Sequence, residues 1–235
     1  MTGMHYEQRR QEIETYFDRT AADTWARLTS DAPVSRIRQT VRAGRDEMRD
    51  TLLSWLPSDL VGCRVLDAGC GTGAMSLALA ARGADVVAID LSPTLVDLAQ
   101  QRLSCHPDAK RIDFRVGDMR TLDGEHFDFV VAMDSLIHYC VEDGVQTLNR
   151  LAPQVRSAMI FTFAPKTPLL ALMHGVGRIF PRGDRAPAIE PVSPAQLGQS
   201  LRDAVALKAE WHAARTHRVA SGFYTSQAME MIRTC

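Results

Sequence analysis

Residues 65–73 read Val-Leu-Asp-Ala-Gly-Cys-Gly-Thr-Gly, an apolar run that stops at an acid and breaks into glycines at alternate positions. Such a run is a short buried strand, and the leucines and alanines after it open a helix. Without a Cβ, the loop between them can turn tightly and let a ligand lie against the backbone. The helix points unpaired N–H groups and a positive dipole end at the same place. Strand, glycine loop and helix in this order belong to α/β sheets, which bind ligands at the carboxyl ends of their strands. Asp67, at the strand's end, narrows the ligand. Its carboxylate would repel a pyrophosphate but suits an ammonium or sulfonium.

Gly69, Gly71 and Ala74 also satisfy the looser dinucleotide fingerprint, so a nicotinamide cofactor is a rival. A glycine turn that only packs helix on sheet is the plainer alternative. Downstream residues favour neither. Val86 to Asp90 is a second apolar strand ending in an acid, with Leu91 beyond it, and Gly117-Asp118-Met119 follows a third. Asp90 would bond ribose hydroxyls, and Asp118 with Met119 would hold an adenine. Acids closing three successive strands resemble the class I S-adenosylmethionine-dependent methyltransferases. In that reading Asp67 holds the methionine ammonium, directly or through water, and Gly69, Gly71 and Gly73 admit it.

The rest of the chain fits a doubly wound, mostly parallel Rossmann-like α/β sheet. Strands are expected near 63–67, 85–90, 111–116, 127–133 and 157–163, and helices near 73–82, 92–104 and 141–152. Segments around 205–217 and 222–232, after a helix near 194–203, would add an antiparallel hairpin, although Phe223, Met229 and Ile232 also fit a helix. Residues 1–60 form a helical arm, with a second helix starting at Pro33 and carrying Ile37, Met48 and Leu52, and residues 61–235 form the main domain. Nine acids and nine bases up to Asp50 leave the arm neutral, so its charges read as a solvated face. Five prolines from 165 to 191 mark a cap insertion over about 164–192, set on the carboxyl edge of the sheet.

A net charge of −1 gives no footing for nucleic-acid binding. Five scattered cysteines without a C-x-x-C pair point to a reduced, cytoplasmic protein. The amino terminus lacks the apolar core of a signal peptide, and no run approaches the ~18 apolar residues of a spanning helix.

Methyl transfer from a sulfonium is an in-line displacement that depends on alignment at near contact. An amine or phenol often needs a base, whereas a carboxylate is ionised at neutral pH and needs only aiming and desolvation. The acceptor side is expected at residues 127–139, where the fourth strand ends at Met133 and presents Asp134, His138 and Tyr139. His138 orients the acceptor, acts as a base, or merely bonds backbone.

With these segments in view, the chain resembles the magnesium-protoporphyrin IX O-methyltransferases of bacteriochlorophyll synthesis. The resemblance rests on Tyr16-Phe17-Asp18 with Trp25, Val41 to Arg45, Leu66 to Gly73, Asp134 to Tyr139, Phe161 to Pro165, Val176 to Arg182 and Gly222 to Ser226. It implies transfer of the methyl of S-adenosylmethionine to one propionate of magnesium-protoporphyrin IX, giving the monomethyl ester. Magnesium then enters only within the substrate, with His138 or His174 as an alternative axial ligand to it. The resemblance also implies handover from the large subunit of magnesium chelatase, and a catalytic role for His138, with Tyr139 beside it. Relatives among oxygenic phototrophs read Trp-x-x-Ile-Tyr in the arm, whereas here Thr29 replaces the tyrosine, whose role is either dispensable or passes to Tyr16 or Tyr139. A flat macrocycle calls for an apolar wall, to which Trp25 belongs, with Tyr16 nearby. Its second propionate calls for cations, expected from Arg178, Arg182 and Arg185. The same basic insertion would suit a peripheral contact with the photosynthetic membrane. Methylation of another acceptor, such as a quinone ring, and a carrier without chemistry are the remaining alternatives.

Overall fold

The computed structural model describes residues 2–20, 35–166, 189–208 and 210–234. Five strands run parallel: β1 (Arg64–Ala68), β2 (Asp85–Asp90), β3 (Ile112–Val116), β4 (Phe127–Ala132) and β5 (Val155–Phe163). With β6 (Trp211–Ser221) and β7 (Tyr224–Arg233) they form one sheet in the order β3-β2-β1-β4-β5-β7-β6. Only β7 runs antiparallel to the parallel set, slotted between β5 and β6. The fold is the doubly wound, mostly parallel sheet expected.

Parallel strands are covered on both faces, which is why Val65 and Leu66 on β1 and Met159 and Ile160 on β5 are fully buried. The crossovers are α3 (Ala74–Ala81), α4 (Pro93–Leu103) and α5 (Val141–Leu151). Ser92 caps α4 by accepting from the Leu95 N–H at 3.2 Å, with Pro93 in the first turn. Asp67 is in register with Ala88 on β2 and Val131 on β4. The acid therefore sits mid-sheet, where strand order reverses between β1 and β4 and a ligand crevice opens.

The segment expected as a strand from 205 begins instead with a short helix, Val205–Lys208, and β6 starts at Trp211. The helix-or-strand ambiguity of the last segment has a physical cause. As an interior strand β7 buries both faces, so Ser226 to Met231 are all buried and carry no alternation to read.

The arm comprises α1 (Thr2–Thr15), a π-helical turn (Tyr16–Thr20) and α2 (Arg36–Ser54). Pro33 lies outside the described residues; Ser35 caps α2 by accepting from the Arg38 N–H at 3.4 Å. Met48 and Leu52 are buried with Val219, Tyr224 and Ala228 of the hairpin, whereas Ile37 is exposed. Gly44 makes this fit possible, because a Cβ there would lie 2.5 Å from Tyr224 Cδ1. Residues 167–188 of the expected cap insertion lie outside the described residues; at its two ends the Lys166 N–H donates to Val192 O (3.0 Å) and the Val192 N–H to Ala164 O (2.9 Å). The chain thus leaves and returns at one point beyond β5. The arm reaches this point too, through an Arg9–Glu190 ion pair of 2.8 Å.

Candidate active site

The loop after β1 is stitched to β2: the Gly69 and Cys70 N–H groups donate to Ile89 O at 2.8 and 3.0 Å. Gly69 takes φ +86°, and a Cβ there would run into the Ser135 side chain, so glycine lets the exit of β4 close over the loop. At Gly71, φ is +52° with open space where a side chain would project. Its N–H donates to Asp90 Oδ2 at 2.8 Å, and the Ser92 N–H donates to Oδ1 at 3.0 Å. Burial pushes the Asp90 carboxyl up, against those backbone bonds. Gly73, expected to admit the ligand, is not in the cavity wall; it faces Ala99, Leu103 and Phe114 and lets α3 pack close to α4.

Asp67 is buried and accepts a bond from Ser76 Oγ at 2.5 Å. Burial pushes its carboxyl up to about 7, opposed by the Ser76 bond and reinforced by the charge of Asp90. Beyond β3, both oxygens of Asp118 accept from the Tyr6 phenol of α1, at 2.8 and 3.0 Å. The Tyr6 ring stacks on Tyr139 at 5.1 Å and carries the Arg120 guanidinium 3.3 Å from its centroid. Burial raises the Tyr6 phenol, so it stays a donor. The arm is thereby pinned to the acid expected to hold an adenine.

The exit of β4 is organised by Asp134, a non-glycine residue at φ +53°. Its carboxylate accepts from Arg45 (2.7 Å), Ser226 Oγ (3.0 Å), Thr162 Oγ1 (3.2 Å) and the Tyr224 phenol (3.0 and 3.1 Å). Its own N–H donates to Thr162 Oγ1 at 2.7 Å. Four elements, α2, β4, β5 and β7, meet on this one acid. The next turn, Leu136–His138, carries His138, which is buried with its ring edge-on to Phe17 at 5.5 Å.

These groups line one cavity of about 390 Å³. Asp67, Gly69, Gly71, Asp90, Leu91, Asp118, Met119, Met133, His138 and Tyr139 are all in its wall. So is Asp134, expected on the acceptor side, and so are residues not singled out for the site from sequence: Phe17, Arg42, Arg45 and Arg49. The arginines recur at spacings of three and four, one face of α2, so the arm's charges are not merely a solvated face. Tyr16 packs edge-on against Phe17 at 5.2 Å and is not in the wall. Trp25, Thr29, His174, Arg178, Arg182 and Arg185 lie outside the described residues.

An open backbone loop at Gly71, a buried acid at Asp67 and an acid at the end of β2 suit a ligand that joins a cation to a ribose. A dinucleotide pyrophosphate would meet Asp67 with no cation on the loop. This sheet, loop and set of acids define a class I S-adenosylmethionine-dependent methyltransferase.

A family model described as magnesium-protoporphyrin IX methyltransferase C-terminus matches residues 132–233, and a methyltransferase-domain model matches 65–157. A magnesium-protoporphyrin O-methyltransferase of Rhodobacter capsulatus is 47% identical over 96% of this chain and 97% of that protein. The crystal structure of the Synechocystis magnesium protoporphyrin IX methyltransferase with bound SAH superposes with a TM-score of 0.82 at 30% identity, covering 95% of this chain and 99% of that one. A ubiquinone biosynthesis O-methyltransferase of Xanthomonas oryzae is 35% identical, over only 62% of this chain and 63% of that protein. The chain belongs to the magnesium-protoporphyrin O-methyltransferase family.

Proposed function

We infer that this chain transfers the methyl group of S-adenosylmethionine to a propionate carboxylate of magnesium-protoporphyrin IX, giving the monomethyl ester in (bacterio)chlorophyll biosynthesis. The observation that carries the reading is the convergence of the glycine loop, the strand-end acids and the Asp134–Tyr139 segment on one cavity, in a chain of this family. The porphyrin has oxygen only in its two propionates, so O-methylation must occur there. The cofactor supplies an electrophilic methyl on a sulfonium; the protein must hold it and aim the acceptor. Asp67 holds the methionine ammonium and Asp90 the ribose. Asp118 and Met119 border the adenine, with Leu91 and Met133 packing beside the cofactor. Arg45 and Arg49, on the wall formed by α2, offer cations to the cofactor's own carboxylate. His138, with Tyr139, orients the acceptor carboxylate.

An ionised carboxylate oxygen bonds to the methyl carbon as the carbon–sulfur bond breaks, leaving a neutral ester and a neutral thioether. No proton moves. Purified protein incubated with magnesium-protoporphyrin IX and methyl-labelled S-adenosylmethionine is expected to place label in a less polar porphyrin, with no net proton released in weakly buffered medium at pH 8. A phenol acceptor of quinone type would release one proton per turnover, and binding of both ligands without ester would mark a carrier.

Asp67 makes cofactor binding pH-dependent. Its pKa of about 7 lies above the ordinary 3.8, so the buried carboxyl is increasingly protonated below pH 7 and must lose that proton to meet an ammonium. The dissociation constant for S-adenosylmethionine is therefore expected to rise about tenfold per pH unit below 7 and to level off above it. Calorimetry in buffers of different ionisation enthalpy would count the proton, and Asp67→Asn should abolish the slope. Affinity independent of pH from 5.5 to 8 would place the ammonium elsewhere.

Handover from magnesium chelatase and a cytoplasmic protein resting on the photosynthetic membrane complete the proposal, argued from the sequence resemblance and from the basic residues of the expected insertion. Among the described residues no helix is long and apolar enough to cross a membrane.

A further inference from the structure

The family's acceptor carries two propionates, and only one is esterified. Nothing in the chemistry of the first transfer forbids a second, so the restraint must lie in how the porphyrin is held. The cavity wall formed by α2 offers a means.

The carboxyl end of α2 is fixed low on the sheet, where Arg82, just after α3, donates to Leu53 O at 2.6 Å. Toward the other end, Thr40 abuts Gly222 in the β6–β7 turn. Because β7 pairs Gln227 with Phe163, the last residue of β5, that turn stands beyond the carboxyl edge of the sheet. Arg49, Arg45 and Arg42 therefore climb the wall in that order, over about 10 Å at 1.5 Å per residue. Arg49 donates to Asp46 at 2.8 Å and Arg45 to Asp134 at 2.7 Å. Arg42 is the rung one turn nearer the side on which an acceptor enters, and it too lines the cavity.

An arginine bound to the reacting carboxylate would draw off the charge that makes it a nucleophile. The rung on the acceptor side therefore suits the other carboxylate, which a guanidinium can hold through two parallel hydrogen bonds. We propose that Arg42 binds the propionate that is not methylated, and that this contact makes the enzyme stop at the monoester. The proposal rests on the carboxyl-methylation reading above. The monoester keeps a single carboxylate. Presenting it for a second transfer would place a neutral ester at Arg42, where the guanidinium gains no charge-assisted pair of hydrogen bonds. One contact thus promotes the first transfer and opposes the second.

The test compares the wild-type enzyme with Arg42→Met and Arg42→Lys. Porphyrin affinity is read by visible titration with magnesium-protoporphyrin IX, cofactor affinity by calorimetry and product identity by chromatography. Arg42→Met is expected to weaken porphyrin binding about tenfold, leave the S-adenosylmethionine dissociation constant within about twofold, and raise the share of diester several-fold. Arg42→Lys, which keeps the charge, should stay within about threefold of wild type in porphyrin affinity. Cofactor affinity that stays intact also reports that the variants fold. Loss of cofactor affinity with porphyrin binding unchanged would give Arg42 to the cofactor and overturn the proposal, as would unchanged porphyrin affinity with monoester alone. Wild-type enzyme that forms no ester at all would instead overturn the acceptor reading itself.

Discussion

Asp134→Ala is expected to cost roughly 3–5 kcal/mol of stability, the range for removing one partner of a buried ion pair. The Asp134 side chain is only 5% exposed, and it is the acceptor on which Arg45, Thr162, Ser226 and Tyr224 converge. Alanine would leave a guanidinium and three hydroxyl donors without that acceptor, and would have to hold a left-handed φ of +53° that an alanine adopts only with strain. For a chain of this size the melting temperature should fall by roughly 10 °C. Asp134→Asn keeps one acceptor oxygen and a side chain that tolerates the left-handed region, so its loss should be smaller. Activity should fall further than stability alone would dictate, because the same acid sets the exit of β4 and, four residues on, His138. Thermal unfolding with bound and free cofactor, alongside turnover at a temperature where both variants are folded, separates the two effects. A melting point within 2 °C of wild type for the alanine variant would show that the four donors have other acceptors.

His138→Ala is expected to lower kcat by about 10²-fold or more, the size of effect that loss of alignment produces, with cofactor affinity nearly unchanged. His138 lines the cavity and is braced by Phe17, whereas the residues proposed above to hold the cofactor come from the ends of β1, β2 and β3. Because an ionised carboxylate needs no base, the variant should keep the shape of the pH profile while losing its height. A profile that loses a limb on mutation would make His138 a proton acceptor. Turnover at the wild-type level would reduce the residue to packing against Phe17.

Most residues assigned above to the cofactor could be picked out of the sequence, and line the cavity, because their cues are local. A strand that ends in an acid and breaks into glycines is contained in nine consecutive residues, and the acids at 90 and 118 close apolar runs that can be read alone. The His138-Tyr139 segment was visible for the same reason, being contiguous with the fourth strand. Gly73 shows the weakness of such reading. It repeats the pattern of Gly69 and Gly71, yet its missing Cβ serves helix packing.

The arginine wall was not found, although its three-and-four spacing was there to see. The arm's acids and bases balance in number, and balance conceals a face that is one-sided in space. Only the seating of α2 on β7, allowed by Gly44 against Tyr224, turns that face toward the cavity. The donors to Asp134 come from 28 to 92 residues away, and Tyr6 reaches Asp118 across 112 residues.

By itself the sequence determined what short-range physics controls: buried strands, the glycine loop, helix caps, and acids that close successive strands. The tertiary structure alone decided which charges share a desolvated wall, which acid became the hub of the β4 exit, and which tyrosine pins the arm. Those outcomes depend on burial and on partners brought together from distant parts of the chain. A carboxylate or guanidinium takes its role from what surrounds it in space, and no run of neighbouring residues encodes that.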